Sequence, residues 1–338
     1  MSHQFDHLVL PRPGGAPIPP QAPIPGPSEA AFTDSFGALL PPAKFLTTPA
    51  GKAAYYEILP TSFSAPAGDA TTTPDRVLFI HGVQTPALGM LPLARALHAS
   101  SPRSHFALLD LWGHGLSDTP VAPHEPGLFL ELVDALLDHL GWPAAHLVGF
   151  SFGGNLTARY VASRDAARIK SYALVAPAGL LRSADLSAEE QGYFSREGDV
   201  DEVAARRFVL RFLEGGELVV PADWKERVAR GEIVAEAVRE WQMREHPGHT
   251  GSVVAIVRDG GVFDSEAEFA QAVGKGVPAT AVLGALDDLC TEGQLKELGL
   301  TDVAVIPEVG HGVVRDRASE VAGFIGAFWT KLGQAGSS

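Results

Sequence analysis

A serine flanked by glycines, Gly149-Phe150-Ser151-Phe152-Gly153, follows the short apolar run 145–148 and precedes a stretch, 155–162, with the small and apolar spacing of a helix. Strand, tight turn and helix is the context in which Gly-x-Ser-x-Gly becomes chemistry. The serine sits at the apex of the turn with its hydroxyl pushed out of the sheet, and the first free helix N–H groups, beginning with that of Phe152, aim at the same point. A serine hydroxyl is a poor nucleophile at neutral pH. It needs a base that titrates near neutrality, and that base needs a carboxylate to fix its tautomer and stabilise its cation. Asp287, in Gly284-Ala285-Leu286-Asp287-Asp288, and His311, in Val309-Gly310-His311-Gly312, each follow a further apolar run, giving the chain order Ser, Asp, His. Consecutive residues leaving a strand point in different directions, so only one of Asp287 and Asp288 can reach the histidine. The Gly-x-x-Asp spacing selects Asp287. No acid follows the preceding strand, at Ala176-Pro177-Ala178.

The chain has twelve histidines, so the choice of base has rivals. His114 lies in a Gly-His-Gly turn and reads as structural. His246 and His249 are separated by Pro-Gly and lack neighbouring carboxylates or thiols, so no metal site is expected there. Of the aromatics near the serine, Phe150 reads as core, while Trp112 and Phe152 are candidates for the wall of a substrate pocket.

The elements that must position these groups alternate. Apolar strand-like runs at 53–59, 76–80, 106–111, 145–148, 169–175, 279–283 and 303–306 are separated by helical patterns at 86–99, 127–140 and 155–162, with further helices from about 292 and over 315–332. Such alternation implies right-handed crossovers and a mostly parallel sheet covered by helices on both faces, with ligands beyond the carboxyl ends of the strands. The pattern breaks over 181–274, where charged amphipathic helices are read at 187–194, 201–213, 223–228 and 233–245. The division expected is a proline-rich arm (1–43), a first core segment (44–180), a helical insertion (181–274) and a second core segment (275–334). The arm reads as extended or disordered.

Composition narrows the partners. With 26 basic against 40 acidic residues the net charge is −14, which disfavours nucleic acid and anionic membrane. A single cysteine, Cys290, rules out an intramolecular disulfide and fits a reducing compartment. No run is long enough to span a membrane and no secretory signal is evident, so the expected location is cytoplasmic.

Taken together, His81-Gly82, Asp110-Leu-Trp-Gly-His-Gly-Leu-Ser117, the serine motif, Gly284-Ala-Leu-Asp287 and Gly310-His311 resemble the α/β-hydrolase-fold serine hydrolases, with a helical cap inserted after the sixth strand. The resemblance covers about residues 44–332. It implies Ser151 as nucleophile, Asp287 as acid and His311 as base, and an oxyanion hole from the backbone N–H groups of Val83 and Phe152. His81 becomes a support for the oxyanion loop. Serine rather than aspartate at 151 argues against halide-cleaving and epoxide-opening chemistry, and a single glycine after His81 departs from the esterases with a His-Gly-Gly-Gly run. The expectation is a cofactor-free hydrolase of a moderately hydrophobic small-molecule ester or lactone. The alternatives are a carbon–carbon (diketone) hydrolase with the same triad, and a triad-bearing receptor or lyase with little hydrolytic turnover.

Overall fold

The computed structural model describes residues 8–15, 19–61, 75–195 and 200–335. The stretch at 62–74, rich in Ser, Thr, Pro and Ala as a linker would be, lies outside the described residues, as do parts of the arm (1–7 and 16–18), residues 196–199 and the tail at 336–338. The arm contains α1 (Glu29–Phe36), capped by the Ser28 side chain on Ala31 N–H. The first strands, β1 (Lys44–Thr48) and β2 (Gly51–Ile58), form an antiparallel hairpin. Then come β3 (Arg76–Ile80), α2 (Leu91–Ser100), β4 (His105–Leu109), α3 (Pro126–His139), β5 (Ala145–Phe150), α4 (Phe152–Ser163) and β6 (Ile169–Val175). Six helices follow: α5 (Ala188–Phe194), α6 (Glu202–Glu214), α7 (Trp224–Ala229), α8 (Ala235–Glu245), α9 (His249–Asp259) and α10 (Glu266–Gly274). The sheet resumes with β7 (Ala279–Gly284), α11 (Glu292–Glu297) and β8 (Val303–Ile306), and the described chain ends with α12 (Val313–Asp316) and α13 (Ala318–Ala335).

The eight strands form one sheet in the order β1-β2-β4-β3-β5-β6-β7-β8, parallel from β4 to β8. Strands buried on both faces need no polar alternation. In β3, Leu78 and Ile80 join the core beneath α3 and α4, while Val77 and Phe79 join the core beneath α2 and α13. The expected mostly parallel sheet covered on both faces is therefore what the chain builds.

Register brings the reactive loops to one edge. Ile80 pairs with Gly149, so His81-Gly82 emerges beside Phe150-Ser151. Phe150 pairs with Val175, Val175 with Val282 and Gly284 with Ile306, which carries the loops holding Asp287 and His311 to the same edge.

The arm is not merely extended. Phe32 and Phe36 of α1 are buried against Trp241, with ring centroids 5.4 and 5.9 Å away, and Phe36 also meets Trp224 at 5.9 Å. Helix α9 was also missed, because Ser252-Val253-Val254-Ala255-Ile256-Val257 has no polar face. It is buried on nearly every side, a placement in which helical periodicity disappears. Helix α10 lies against α4 on the sheet layer.

Candidate active site

Ser151 caps α4 in a backbone conformation of φ 54° and ψ −120°, a left-handed region unusual for a residue with a Cβ, costing about 1–3 kcal/mol. The surrounding backbone holds it there. Ser151 N–H donates to Val175 O at 3.0 Å, and Ser151 O accepts from Gly154, Asn155 and Ala178 N–H groups at 2.9, 3.1 and 3.0 Å. The flanking glycines are required by space. A Cβ on Gly149 would lie 2.3 Å from Gly153 O, and one on Gly153 would lie 2.1 Å from Ile80 O. A Cβ on Gly82 would come within 2.7 Å of Ser151 Cβ, so the loop after β3 can lie over the serine only if that residue is glycine.

The Ser151 Oγ lies 2.9 Å from His311 Nε2, and His311 Nδ1 lies 2.9 Å from Asp287 Oδ2. With the carboxylate accepting from Nδ1–H, Nε2 presents its lone pair to the serine hydroxyl. The Asp287 side chain is 1 % exposed, and its other oxygen accepts from Leu289 N–H at 3.2 Å. The His311 side chain keeps 36 % of its surface. Asp288, by contrast, is exposed. Three groups separated by up to 160 residues thus meet in one hydrogen-bonded line.

Phe152 N–H and Val83 N–H meet no acceptor among the described residues. Phe152 opens α4, where helix geometry leaves its N–H without an intrahelical partner.

The sheet order and the register agree with the comparison against known families. Residues 75–210 match a family model described as "alpha/beta hydrolase fold". The chain has the α/β-hydrolase fold. Among solved structures similar to it are the enol-lactonase from Burkholderia xenovorans LB400 (TM-score 0.59, 21% identity, 85% of this chain and 100% of that one) and a thermophilic esterase from Thermogutta terrifontis (TM-score 0.59, 16% identity, 86% and 99%). A curated relative, the dihydrolipoyllysine-residue acetyltransferase component of the acetoin cleaving system of Pseudomonas putida, is 28% identical over 215 residues, 63% of this chain. The chain spans about half the length of that relative, 53%.

Within this α/β-hydrolase fold, three buried side chains hold the loop that passes over Ser151. His81 Nε2 accepts from Leu111 N–H at 2.9 Å, leaving Nδ1–H to donate to Gly82 O at 2.6 Å. His114 Nε2 accepts from Gln84 N–H at 3.1 Å, and its Nδ1–H donates to Trp112 O at 3.0 Å. Both imidazoles are neutral because burial opposes the charged form: the His81 pKa is pushed down to about 4 and that of His114 well below the ordinary value. Neither can serve as a base at Ser151 while so engaged. Gln242 of α8 completes the support, donating to Gln84 O at 2.5 Å and accepting from Gly115 N–H at 2.8 Å. Nothing in the sequence marked Gln84 or Gln242, since each owes its role to a contact across 158 residues.

Asp110, part of the matching motif, is structural. It accepts from Ala87 N–H, Leu116 N–H and the Tyr56 hydroxyl at 2.8, 3.0 and 2.9 Å, and burial raises its pKa to about 6. His246 and His249 each meet a backbone carbonyl, Ser117 O and Gly113 O, at 2.8 Å. The Cys290 thiol is buried and pushed up to about 12 by desolvation and the charge of Asp287, so it offers no competing thiolate.

Trp112 is 1 % exposed and Phe152 fully buried, the latter edge-on to Phe129 at 5.3 Å. In this conformation both rings belong to the core. Aromatic surface from the inserted segment gathers beside Val83: Phe194, Phe208 and Phe263 pack against the valine cluster of α6 and α9 that Val83 also meets. Val209 of α6 is buried within that cluster with Val253 and Val257 of α9, while Val203 is 56 % exposed.

Proposed function

We propose that this chain is a serine hydrolase that cleaves a carboxylic ester or lactone of a moderately hydrophobic small molecule through an acyl-enzyme. The observation that carries the reading is the Ser151–His311–Asp287 line, with 2.9 Å at both links. His311 Nε2 takes the Ser151 proton as Oγ attacks the carbonyl carbon. Asp287 holds the imidazolium that results. The oxygen that gains charge sits at the Val83 and Phe152 N–H groups, donors each worth about 3–4 kcal/mol when aimed at a developing oxyanion. His311 returns its proton to the leaving alkoxide, leaving the acyl group on Oγ. A water then enters beside His311, whose partial exposure leaves it a route, and the same base activates it to release the acid and restore Ser151. No cofactor or metal enters these steps.

An apolar acyl or alcohol group is supported by Val83, which packs, like Phe194, Phe208 and Phe263, against the valine cluster of α6 and α9. Of the helices over 181–274, α5 to α9 act as the cap and α10 lies on the sheet layer. They are tied to the nucleophile's own helix through Asn155, whose Nδ2 donates to Gly261 O at 3.0 Å, and through Arg159, which donates to Glu268 and Ser265 at 2.7 and 2.8 Å.

The test is labelling by an alkyl fluorophosphonate together with turnover of an aryl-ester and lactone panel. Labelling at Ser151 with turnover lost by about a millionfold in Ser151→Ala is expected. An unlabelled serine, or undiminished turnover in the variant, would overturn the reading.

A further inference from the structure

Arg315 follows His311 by one helical turn, in α12, which packs against the turn at Ala87–Met90 that follows the oxyanion loop. Its guanidinium carbon lies 5.8 Å from the centre of the Phe150 ring, and the same ring meets the His311 imidazole at 5.0 Å. Phe150 also borders the space before the serine. A Cβ on Gly82 would lie 3.3 Å from Phe150 Cδ1 and 3.2 Å from Ser151 Oγ. The Phe150 ring is thus the common neighbour of Arg315, of His311 and of the point in front of Ser151.

This guanidinium is distinguished by what it lacks. The side chain is half-buried, and burial lowers its pKa from the ordinary arginine value. None of its three nitrogens has a hydrogen-bond acceptor or an ion-pair partner among the described residues. The neighbouring acids are committed elsewhere or face solvent. Glu214 of α6 and Glu236 of α8 meet Arg239 at 2.8 and 3.4 Å, and Asp316 is exposed. Glu236 and Asp316 act on Arg315 only at longer range. Nη1 is sealed from solvent on the side of Gly89, where a Cβ would lie 3.9 Å from it. Nε and Nη2 are not sealed, and Nη2 would be 3.5 Å from a Cβ on Gly312, the residue after His311. A half-buried cation without a partner is costly to keep. Nε and Nη2 form one edge of the planar guanidinium, and that edge fits a carboxylate through two parallel hydrogen bonds.

We infer that Arg315 selects the substrate: the ester or lactone cleaved at Ser151 carries a free carboxylate, held by Arg315 Nε and Nη2 beside the Phe150 ring. This assignment rests on the serine-hydrolase reading above and narrows its substrate class to apolar esters that bear an acid.

The test compares esters that differ only in charge. One set pairs the 4-nitrophenyl monoesters of adipate, pimelate and suberate with their methyl-capped diesters, which puts the acid in the acyl part. The other pairs 4-acyloxybenzoates with their methyl esters, which puts it in the leaving group. In at least one set the acid is expected to be preferred by about tenfold or more in kcat/KM. In Arg315→Met, which keeps much of the side chain's length without its charge, that ratio is expected to fall by about tenfold or more. Arg315→Lys is expected to retain more of the ratio than Arg315→Met, because the cation remains while the planar fork is lost. A ratio near one in both sets, or a ratio unaltered in Arg315→Met, would overturn the assignment. Fluorophosphonate labelling tells its failure from that of the hydrolase reading. A labelled Ser151 that turns over neutral and acidic esters alike removes the role of Arg315 alone, and an unlabelled Ser151 without turnover removes both.

Discussion

Arg12 of the arm grips Asp259 at the end of α9, Nε to Oδ2 at 3.0 Å and Nη2 to Oδ1 at 3.1 Å, joining points 247 residues apart. The same guanidinium donates to Phe194 O at 3.0 Å and Ser195 O at 2.5 Å, closing one strap over α5 and α9. The Asp259 side chain is 1 % exposed, so Arg12→Ala takes two charge-assisted hydrogen bonds from a buried carboxylate. Arg12→Ala is expected to lower stability by about 1–3 kcal/mol. Chemical denaturation would measure it; a loss under half a kcal/mol would mean that the strap is ornamental.

The choice between adjacent acids gives a sharper test. Asp287 reaches His311 Nδ1 at 2.9 Å, and Asp288 is exposed. Asp287→Asn leaves the volume unchanged but removes the charge and favours the wrong imidazole tautomer, a change expected to cost about 10⁴ in kcat. Asp288→Asn is expected to stay within a factor of a few. Equal losses in the two variants would place the acid elsewhere.

The reactive groups were legible because each sits at the end of an apolar run, and parallel strands put their ends on one edge. That rule, with the Gly-x-Ser-x-Gly and Gly-x-x-Asp spacings and the family resemblance, points to Ser151, Asp287 and His311, which lie in one hydrogen-bonded line. What sequence could not give are relationships made by packing. Helix α1 hid behind proline composition, its Phe32 and Phe36 carrying no period until Trp241 is set beneath them. Helix α9 hid because it is buried all round. Val203, Phe208, Val209 and Phe212 share a helical spacing, as the residues of one apolar face would. The structure divides them, burying Val209, joining Phe208 and Phe212 to Phe263, and leaving Val203 exposed.

Gly82 tests the loop over the serine. A methyl at this position would lie 2.7 Å from Ser151 Cβ and 3.2 Å from Oγ, too close for either to stay in place. A displacement of about 1 Å near reacting groups costs about a hundredfold in rate. Gly82→Ala is therefore expected to lose about that much in kcat while binding small esters nearly normally. Parental kcat in this variant would mean that the loop plays no part in the reaction.

Five buried histidines make the fold sensitive to acid. Burial lowers the pKa of His81, His124 and His246 to about 4 and of His249 to about 3, and that of His114 falls well below its ordinary value. Each remains neutral in the folded state and takes a proton on unfolding, at a pKa near 6.5. Folded values below unfolded ones mean stability that is present above about pH 6.5 and lost as pH falls toward 4, by about 1.4 kcal/mol per pH unit per histidine. Asp110, raised to about 6, opposes one of them, since its folded form gains the proton first as pH falls. The net loss approaches the whole of an ordinary folding stability, about 5–15 kcal/mol, before pH 4. Circular dichroism is expected to show cooperative unfolding near pH 4.5–5, and an unfolding midpoint in urea that does not change between pH 7 and 4.5 would contradict it.

Gln242 tests whether the cap helix α8 positions the oxyanion loop or only covers it. Its amide donates to Gln84 O and accepts from Gly115 N–H, and it is fully buried. Gln84 holds a left-handed backbone at φ 65°, so its place depends on these partners and on His114. It is the neighbour of Val83, so any relaxation of Gln84 moves the Val83 N–H. Gln242→Met keeps the volume and strands both backbone groups, at about 1–3 kcal/mol each. Gln242→Glu still accepts from Gly115 but turns an acceptor toward Gln84 O. Both variants will be less stable, and loss of folded protein alone would lower bulk activity. Counting active sites with a fluorophosphonate separates the two effects. A positioning role predicts that kcat per labelled site falls about ten- to a hundredfold, more in Gln242→Glu than in Gln242→Met, with KM changing little. If kcat per labelled site equals the parent's in both variants, Gln242 holds the cap to the core and leaves the chemistry alone.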